Sequence, residues 1–265
     1  MLKGDEKMGY GIKIKWLGCA CFEMDFGVVT VVNDPWITPN KKMDLTWEDV
    51  EKCDYITLTH SHSDHIVDIP ALMEKFSAYL MCGELTAMPL MMWADVNPMR
   101  MYPMSPNLEL DLDTVKIKAL YGRHSPLPGK AQERLANIEA SEFYSQSPYL
   151  KELGLLGALE YRNYLYTTPG GAKLLIWGNK IARPDQRNML IAEQPDIAII
   201  QVTGANKAED MAAACKAMGC KVVIPHHIDF PGDYMRQTLA LRDALAAIAP
   251  ETRFIIPEYG KWIEL

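Results

Sequence analysis

From Tyr55 the chain runs through Ile56, Thr57, Leu58 and Thr59, then sets out His60, His62, Asp64 and His65 within six positions. The first part is apolar and β-branched, as in a short buried strand. The second part is a loop bearing three imidazoles and one carboxylate, and it holds half of the chain's six histidines. Residues two apart in extended chain point to the same side, so His60 and His62 can face one point. Asp64 and His65 follow after the turn and can face a second point close by. Neutral imidazole and carboxylate are the donors that zinc, manganese and iron accept. A chain built around such a loop must supply further ligands from elsewhere in its sequence.

The rest of the sequence sets bounds on that reading. At 265 residues, with 49% apolar and 23% charged residues, the chain can bury a substantial core as one large domain. Its net charge of −7 argues against a general nucleic-acid binder but allows a local basic pocket. No apolar run approaches the ~18 residues of a membrane span. The start, Met1 to Lys7, lacks the apolar stretch of a signal peptide. Six cysteines without a tight framework suggest reduced thiols, and a cytoplasmic protein is expected. Cys19 with Cys21, and Cys215 with Cys220, are poor zinc-finger pairs, so most of the cysteines read as small buried hydrophobes.

Taken in order, Tyr10 to Trp16 alternates: Ile12, Ile14 and Trp16 on one face, Lys13 and Lys15 on the other, a half-buried strand. Strands over 21–25 and 28–32, with Gly27 at the turn, continue it as an antiparallel meander that ends at Asp34-Pro35. A short helix over 46–52 takes Thr46 as its N-cap. Helices are expected over 69–76 and 84–93, despite Pro89, and strands over 78–82, 99–103 and 114–120. The last of these runs into Tyr121-Gly122-Arg123-His124. Residues 125–158 are the least regular stretch, helix-compatible from 131 to 140 and then rich in aromatic and apolar side chains. Strands over 160–167 and 172–177 form a hairpin through Thr168-Pro169-Gly170-Gly171. Strands over 197–202, 221–224 and 253–256 then alternate with helices over 207–218, closed by Gly219, and 234–249. This rhythm implies helices outside a sheet, and strands followed by helices recur in each half.

His60-Ser61-His62-Ser63-Asp64-His65 after an apolar strand resembles the H-x-H-x-D-H signature of the metallo-β-lactamase superfamily. The resemblance extends from the first strand to Pro225-His226-His227. It implies an α/β fold: an αββα sandwich of two mixed sheets with helices on both outer faces. It also implies a single domain over 1–265, with 125–158 as a lid or insertion. His124, after a strand and Gly122, matches the third ligand of a first metal beside His60 and His62. His227, two residues after a proline, matches the last ligand of a second site with Asp64 and His65, although the adjacent His226 can exchange roles with it. Asp34 matches an Asp-Pro aspartate that braces the metal loop from behind. One position departs from the pattern: the strand ending at Trp177-Gly178 is followed by Asn179, where the family usually places a metal-bridging aspartate. An amide oxygen is a neutral, weaker ligand, which allows one metal, an altered pair or an impaired enzyme.

Three imidazoles with an open fourth position are the donor set of a catalytic metal site. The resemblance therefore implies one or two divalent ions, zinc or manganese, with Asp64 and His227 as the residues closest to the chemistry. The expected reaction is hydrolysis, within a branch resembling ascorbate-6-phosphate lactonase, of a small lactone or a phosphorylated metabolite. Arg123, Lys180 or Arg183 are placed to contact a phosphate. The alternative is a non-catalytic member that keeps a metal and binds a ligand or partner. The expected partner is a small molecule, not nucleic acid or membrane, and a homo-oligomer is compatible with the sequence. The chain has no G-x-S-x-G, P-loop or G-x-G-x-x-G to support a serine hydrolase, nucleotidase or dinucleotide reading.

Overall fold

The alternating segment near the start of the chain forms β1 (Lys13–Trp16), and β2 (Phe22–Asp25) turns back at Gly27 into β3 (Thr30–Asn33). This is seen in the computed structural model of the protein, which describes residues 9–124, 131–178, 184–202, 206–229 and 234–265. β1, β2 and β3 pair antiparallel, as the meander pattern predicts. β3 then pairs in parallel with β4 (Tyr55–Thr57), β4 with β5 (Tyr79–Cys82), and β5 with β6 (Met101–Pro103). β14 (Trp262–Glu264) closes the other edge against β1. A second sheet repeats the plan. Its antiparallel part is β7 (Glu109–Asp111), β8 (Lys116–Gly122), β9 (Tyr161–Thr167) and β10 (Lys173–Trp177). Its parallel part continues from β10 through β11 (Ile197–Gln201) and β12 (Val222–His226) to β13 (Arg253–Phe254).

The helices cover the outer faces. After a single turn, α1 (Ser63–Ile66), the helices α2 (Ile69–Phe76) and α3 (Glu84–Ala94) bury Ile69, Leu72, Ala87 and Leu90 in one cluster with Val32, Ile56 and Leu80 of the first sheet. The irregular stretch proves helical over α4 (Ala131–Glu139), α5 (Glu142–Ser145) and α6 (Pro148–Leu159). On the second sheet, α7 (Pro184–Glu193), α8 (Ala208–Met218) and α9 (Met235–Ile248) bury Leu190, Met211, Cys215 and Leu241. Between the sheets, Ile14, Met24 and Val31 share a core with Ile117, Tyr164, Tyr166 and Ile176. The two-sheet sandwich with helices outside is the expected architecture.

Two details of this core bear on function. The hydroxyls of Tyr166 and Tyr164 cross to the first sheet, one 2.7 Å from Thr57 Oγ1 and the other donating to the Leu58 carbonyl at 3.0 Å. They tie the second sheet to the root of the His60 loop. Lys15 corrects the half-buried reading of β1, because it is 3% exposed. Its ammonium lies 2.7 Å from Glu23 and 2.8 Å from Glu51, under the Trp262 ring of β14. A strand edge that looked solvated is covered by the C-terminal strand, and the charge is paired inside.

Candidate metal centre

His60 and Ser61 carry the chain on from β4, and His62 is the residue before α1, so Asp64 and His65 sit on a helical turn rather than in an open loop. His60 Nε2 lies 3.0 Å from His62 Nδ1. His124 enters two residues beyond β8, with its ring 4.7 Å from both the His60 and the His62 rings. One nitrogen from each of the three rings lies within 4.8 Å of the others. Tyr161, paired with Gly122 in the β8–β9 register, backs the cluster with its ring 4.9 Å from His60.

A second cluster adjoins the first. Asp64 Oδ2 is 3.5 Å from His65 Nε2 and 3.6 Å from His227 Nε2. Asp34 sits behind both clusters. Its carboxylate accepts the Thr59 backbone N–H and hydroxyl, each at 2.7 Å, and lies 2.9 Å from His65 Nδ1. Because the Thr59 hydroxyl donates to Asp34, its oxygen accepts from His60 Nδ1 at 3.1 Å, leaving the lone pair on His60 Nε2. The same logic orders the other histidine pair. His226 Nε2 faces the Trp177 carbonyl at 3.2 Å, which can only accept, so His226 Nδ1 is the acceptor for His227 Nδ1–H at 2.9 Å. His227 Nε2 then points its lone pair toward Asp64. His227 thus faces the cluster, and His226 stands behind it.

Electrostatics follow from burial and crowding. Burial, with His65, His62 and His124 nearby, pushes His60 well below the ordinary imidazole value. Burial and His227 do the same to His226. Burial opposes ionisation of Asp64, yet His65 and His227 hold its carboxyl well below the usual carboxylate range. His65 is drawn up to about 10: burial works against its charge, but Asp34 and Asp64 flank it. A divalent cation where the three rings converge would take one nitrogen from each as a ligand. The residues present fit such a group.

Several residues here gave no separate signal in the sequence. Ser61 Oγ donates to the Leu153 carbonyl at 2.7 Å, and the Ser63 N–H donates to the Tyr144 hydroxyl at 2.8 Å. At Gly157 a Cβ would fall 2.6 Å from His62 Cδ2, so the glycine lets α6 lie directly on the His60–His65 segment. A cavity of about 280 Å³ opens beside His62, lined by Asn137, Ile138, Ser141, Tyr144 and Gly154. Cys19, in the turn between β1 and β2, is fully buried with its sulfur within 4.8 Å of both an Asp64 oxygen and a His227 nitrogen. Arg123 is half-buried next to His124. Asn179, Lys180 and Arg183 lie outside the described residues.

Comparison with known proteins bears on the family and the fold. A family model described as a beta-lactamase superfamily domain matches residues 13–227. A metal-dependent hydrolase of Caldivirga maquilingensis is 38% identical over 71 residues, covering 27% of this chain and 30% of that protein. Another from Xanthobacter autotrophicus is 41% identical over 64 residues, covering 24% and 26% respectively. The matches to these curated relatives therefore span under a third of their length. A solved metallo hydrolase from Ignicoccus hospitalis superposes with a TM-score of 0.69 at 17% identity, over 96% of this chain and 98% of its own. That likeness carries the fold across nearly the whole chain. Because the matched family region runs from β1 through the His60 loop to His227, the chain belongs to the metallo-β-lactamase superfamily.

Proposed function

We propose that this protein is a metal-dependent hydrolase that opens a small lactone. In this reading His60, His62 and His124 hold one divalent cation, and Asp64, His65 and His227 hold a second. The observation that carries it is the convergence of the three imidazole nitrogens beside a second cluster built on Asp64. When bound, such cations polarise a carbonyl and lower the pKa of water toward ~7.

The protein's own groups do the rest. Asp34 holds His65 directly and His60 through Thr59, so one carboxylate orients a ring in each cluster. His226 fixes the His227 tautomer. Asp64, kept ionised, is placed to accept a proton from the attacking water. Substrate would enter beside His62, in the cavity under α4, α5 and α6. Its described lining carries Asn137, Ser141 and Tyr144 as polar groups beside His62, and Arg123 stands next to His124. The lactone reading follows from the resemblance of the sequence to a lactonase branch, with a phosphorylated metabolite as the second candidate. Free, buried cysteines fit a reducing compartment such as the cytoplasm. No helix among the described residues is long and apolar enough to cross a membrane.

The test is metal content by elemental analysis, followed by turnover on parallel panels of lactones and phosphodiesters. Wild type should bind divalent metal and open lactones, and His62→Ala should lose both properties. Turnover of phosphodiesters alone would move the substrate class. Bound metal with no turnover, and activity gained by Asn179→Asp, would make this a ligand-binding member of the superfamily instead.

A further inference from the structure

The second cluster contains a donor outside the family pattern. Cys19 adopts φ +48°, a left-handed conformation uncommon for a residue with a β-carbon. Its backbone is held there from several sides. The Cys19 N–H donates to both oxygens of Asp229, at 3.1 and 3.2 Å. Its carbonyl accepts the His227 N–H at 3.0 Å and the Trp16 indole N–H at 3.2 Å. Asp229 is in turn fixed by Asn40 at 2.7 Å and by the Tyr259 hydroxyl at 3.0 Å. His227, the residue bonded to Cys19, is also left-handed, at φ +58°. Two loops distant in sequence are thus locked together so that the Cys19 sulfur, an Asp64 oxygen and a His227 nitrogen come within 4.8 Å of one another. Cys21, two residues away, goes into the apolar core beneath α2 instead.

We propose that Cys19 is a ligand of the second cation, its thiolate completing a sulfur, carboxylate and imidazole set with Asp64, His65 and His227. This rests on the reading of the site as a metal centre and specifies what that centre selects. As the metal–sulfur bond forms, the thiol proton is released to solvent. The thiolate supplies a second anionic ligand beside the Asp64 carboxylate. A soft sulfur donor among nitrogen and oxygen ligands favours zinc over manganese or magnesium. The position is therefore a zinc site by its donor chemistry.

The test uses the full chain, stripped of metal and titrated with cobalt(II). Wild type should take up two equivalents, the second bringing the near-ultraviolet charge-transfer band of a cobalt–thiolate bond. Cys19→Ser should lose that band and keep one tight equivalent, while Cys21→Ala should keep both. Two equivalents without the band in wild type, or a band that survives in Cys19→Ser, would overturn the proposal and leave the metal centre standing. No cobalt uptake at all would overturn both. Should Cys19→Ser fail to fold, zinc X-ray absorption on wild type decides: a sulfur shell at about 2.3 Å supports Cys19, and nitrogen and oxygen shells alone overturn it.

Discussion

Asp34 carries more of the site than any ligand does, because it touches none of the converging lone pairs yet sets where two of them point. It sits at φ +45°, immediately before Pro35, and its carboxylate accepts from Thr59 twice while facing His65. Cys19, Asp34 and His227 are all left-handed, and backbone strain of this kind persists only where surrounding bonds enforce it. Asp34→Ala is expected to weaken zinc binding by roughly 10–100-fold, the usual loss when a residue orienting a ligand is removed. Competition against a chromophoric chelator measures it, and an unchanged affinity would show that His60 and His65 hold their orientation alone. Gly157→Ala makes a companion case. Its new methyl would meet His62 Cδ2 at 2.6 Å, whereas a methyl at Gly170 would touch nothing closer than 3.8 Å. Zinc affinity should fall in the first variant and stay unchanged in Gly170→Ala. The histidines were legible in the sequence because few roles suit three imidazoles in six positions. Cys19 and Tyr161 were not, since a thiol or a phenol ring reads equally well as core until its neighbours are known.

At the scale of elements, the buried charges decide which junctions are rigid. Glu160 ends α6, and its carboxylate accepts the N–H groups of Leu85 and Thr86 at the start of α3, at 3.2 and 3.0 Å. It also pairs with the buried Arg162 at 2.9 Å. A Cβ at Gly83 would collide with this carboxyl group, so the glycine is what admits the cap. Glu160→Ala uncaps α3 and leaves the buried Arg162 with the more distant Glu84, at 3.7 Å, as its carboxylate partner. A loss of about 3–5 kcal/mol is expected from urea unfolding, as for other broken buried pairs, against a much smaller change for Glu160→Gln. Lys15 offers a pH-dependent counterpart. Its hydrogen bond first, and that of Trp262 second, hold Glu51 below its ordinary value of 4.5. A depressed folded value means that the stabilisation is present above the unfolded value and is lost as pH falls through the folded one. The urea midpoints of wild type and Glu51→Gln, different near neutral pH, should therefore converge as pH falls through the depressed Glu51 value. If the gap stays constant, the Lys15–Glu51 contact contributes nothing that titrates. The helices α5 and α6 escaped the sequence reading because α6 carries glycines at 154 and 157 and is apolar on most of its surface. Its periodicity makes sense only once Tyr144 and His62 are seen filling the space those glycines leave. The short edge strands β7 and β14 lack the length to show alternation, and the burial of Lys15 under β14 went unseen with them.

On the scale of the whole molecule, the candidate ligands are shared between the two sheets. His60, His62, Asp64 and His65 follow β4, while His124 follows β8 and His227 follows β12. Strand order made the two repeating halves legible, since antiparallel hairpins followed by βα alternation recur in the sequence. How the halves dock was not legible, because it depends on Tyr164, Tyr166 and the Arg162 N–H reaching across to Leu58, Thr57 and Thr59. Those three contacts are the protein's own clamp at the site edge, and cations between the clusters would add a second clamp across the same seam. Anything that binds the folded chain alone stabilises it by mass action, by about 2.7 kcal/mol at a hundred times its dissociation constant. For a domain of this size that corresponds to a rise in thermal midpoint of about 5–10 °C on adding zinc to stripped protein. His124→Ala removes the second sheet's share of the histidine cluster and should shrink the rise markedly, with secondary structure unchanged by circular dichroism. Calorimetry with and without zinc on both proteins makes the comparison. Should zinc leave the wild-type midpoint where it was, the seam is closed by the tyrosines and Arg162 alone. A rise of equal size in wild type and His124→Ala would place the stabilising cation in the Asp64 cluster, away from the three imidazoles.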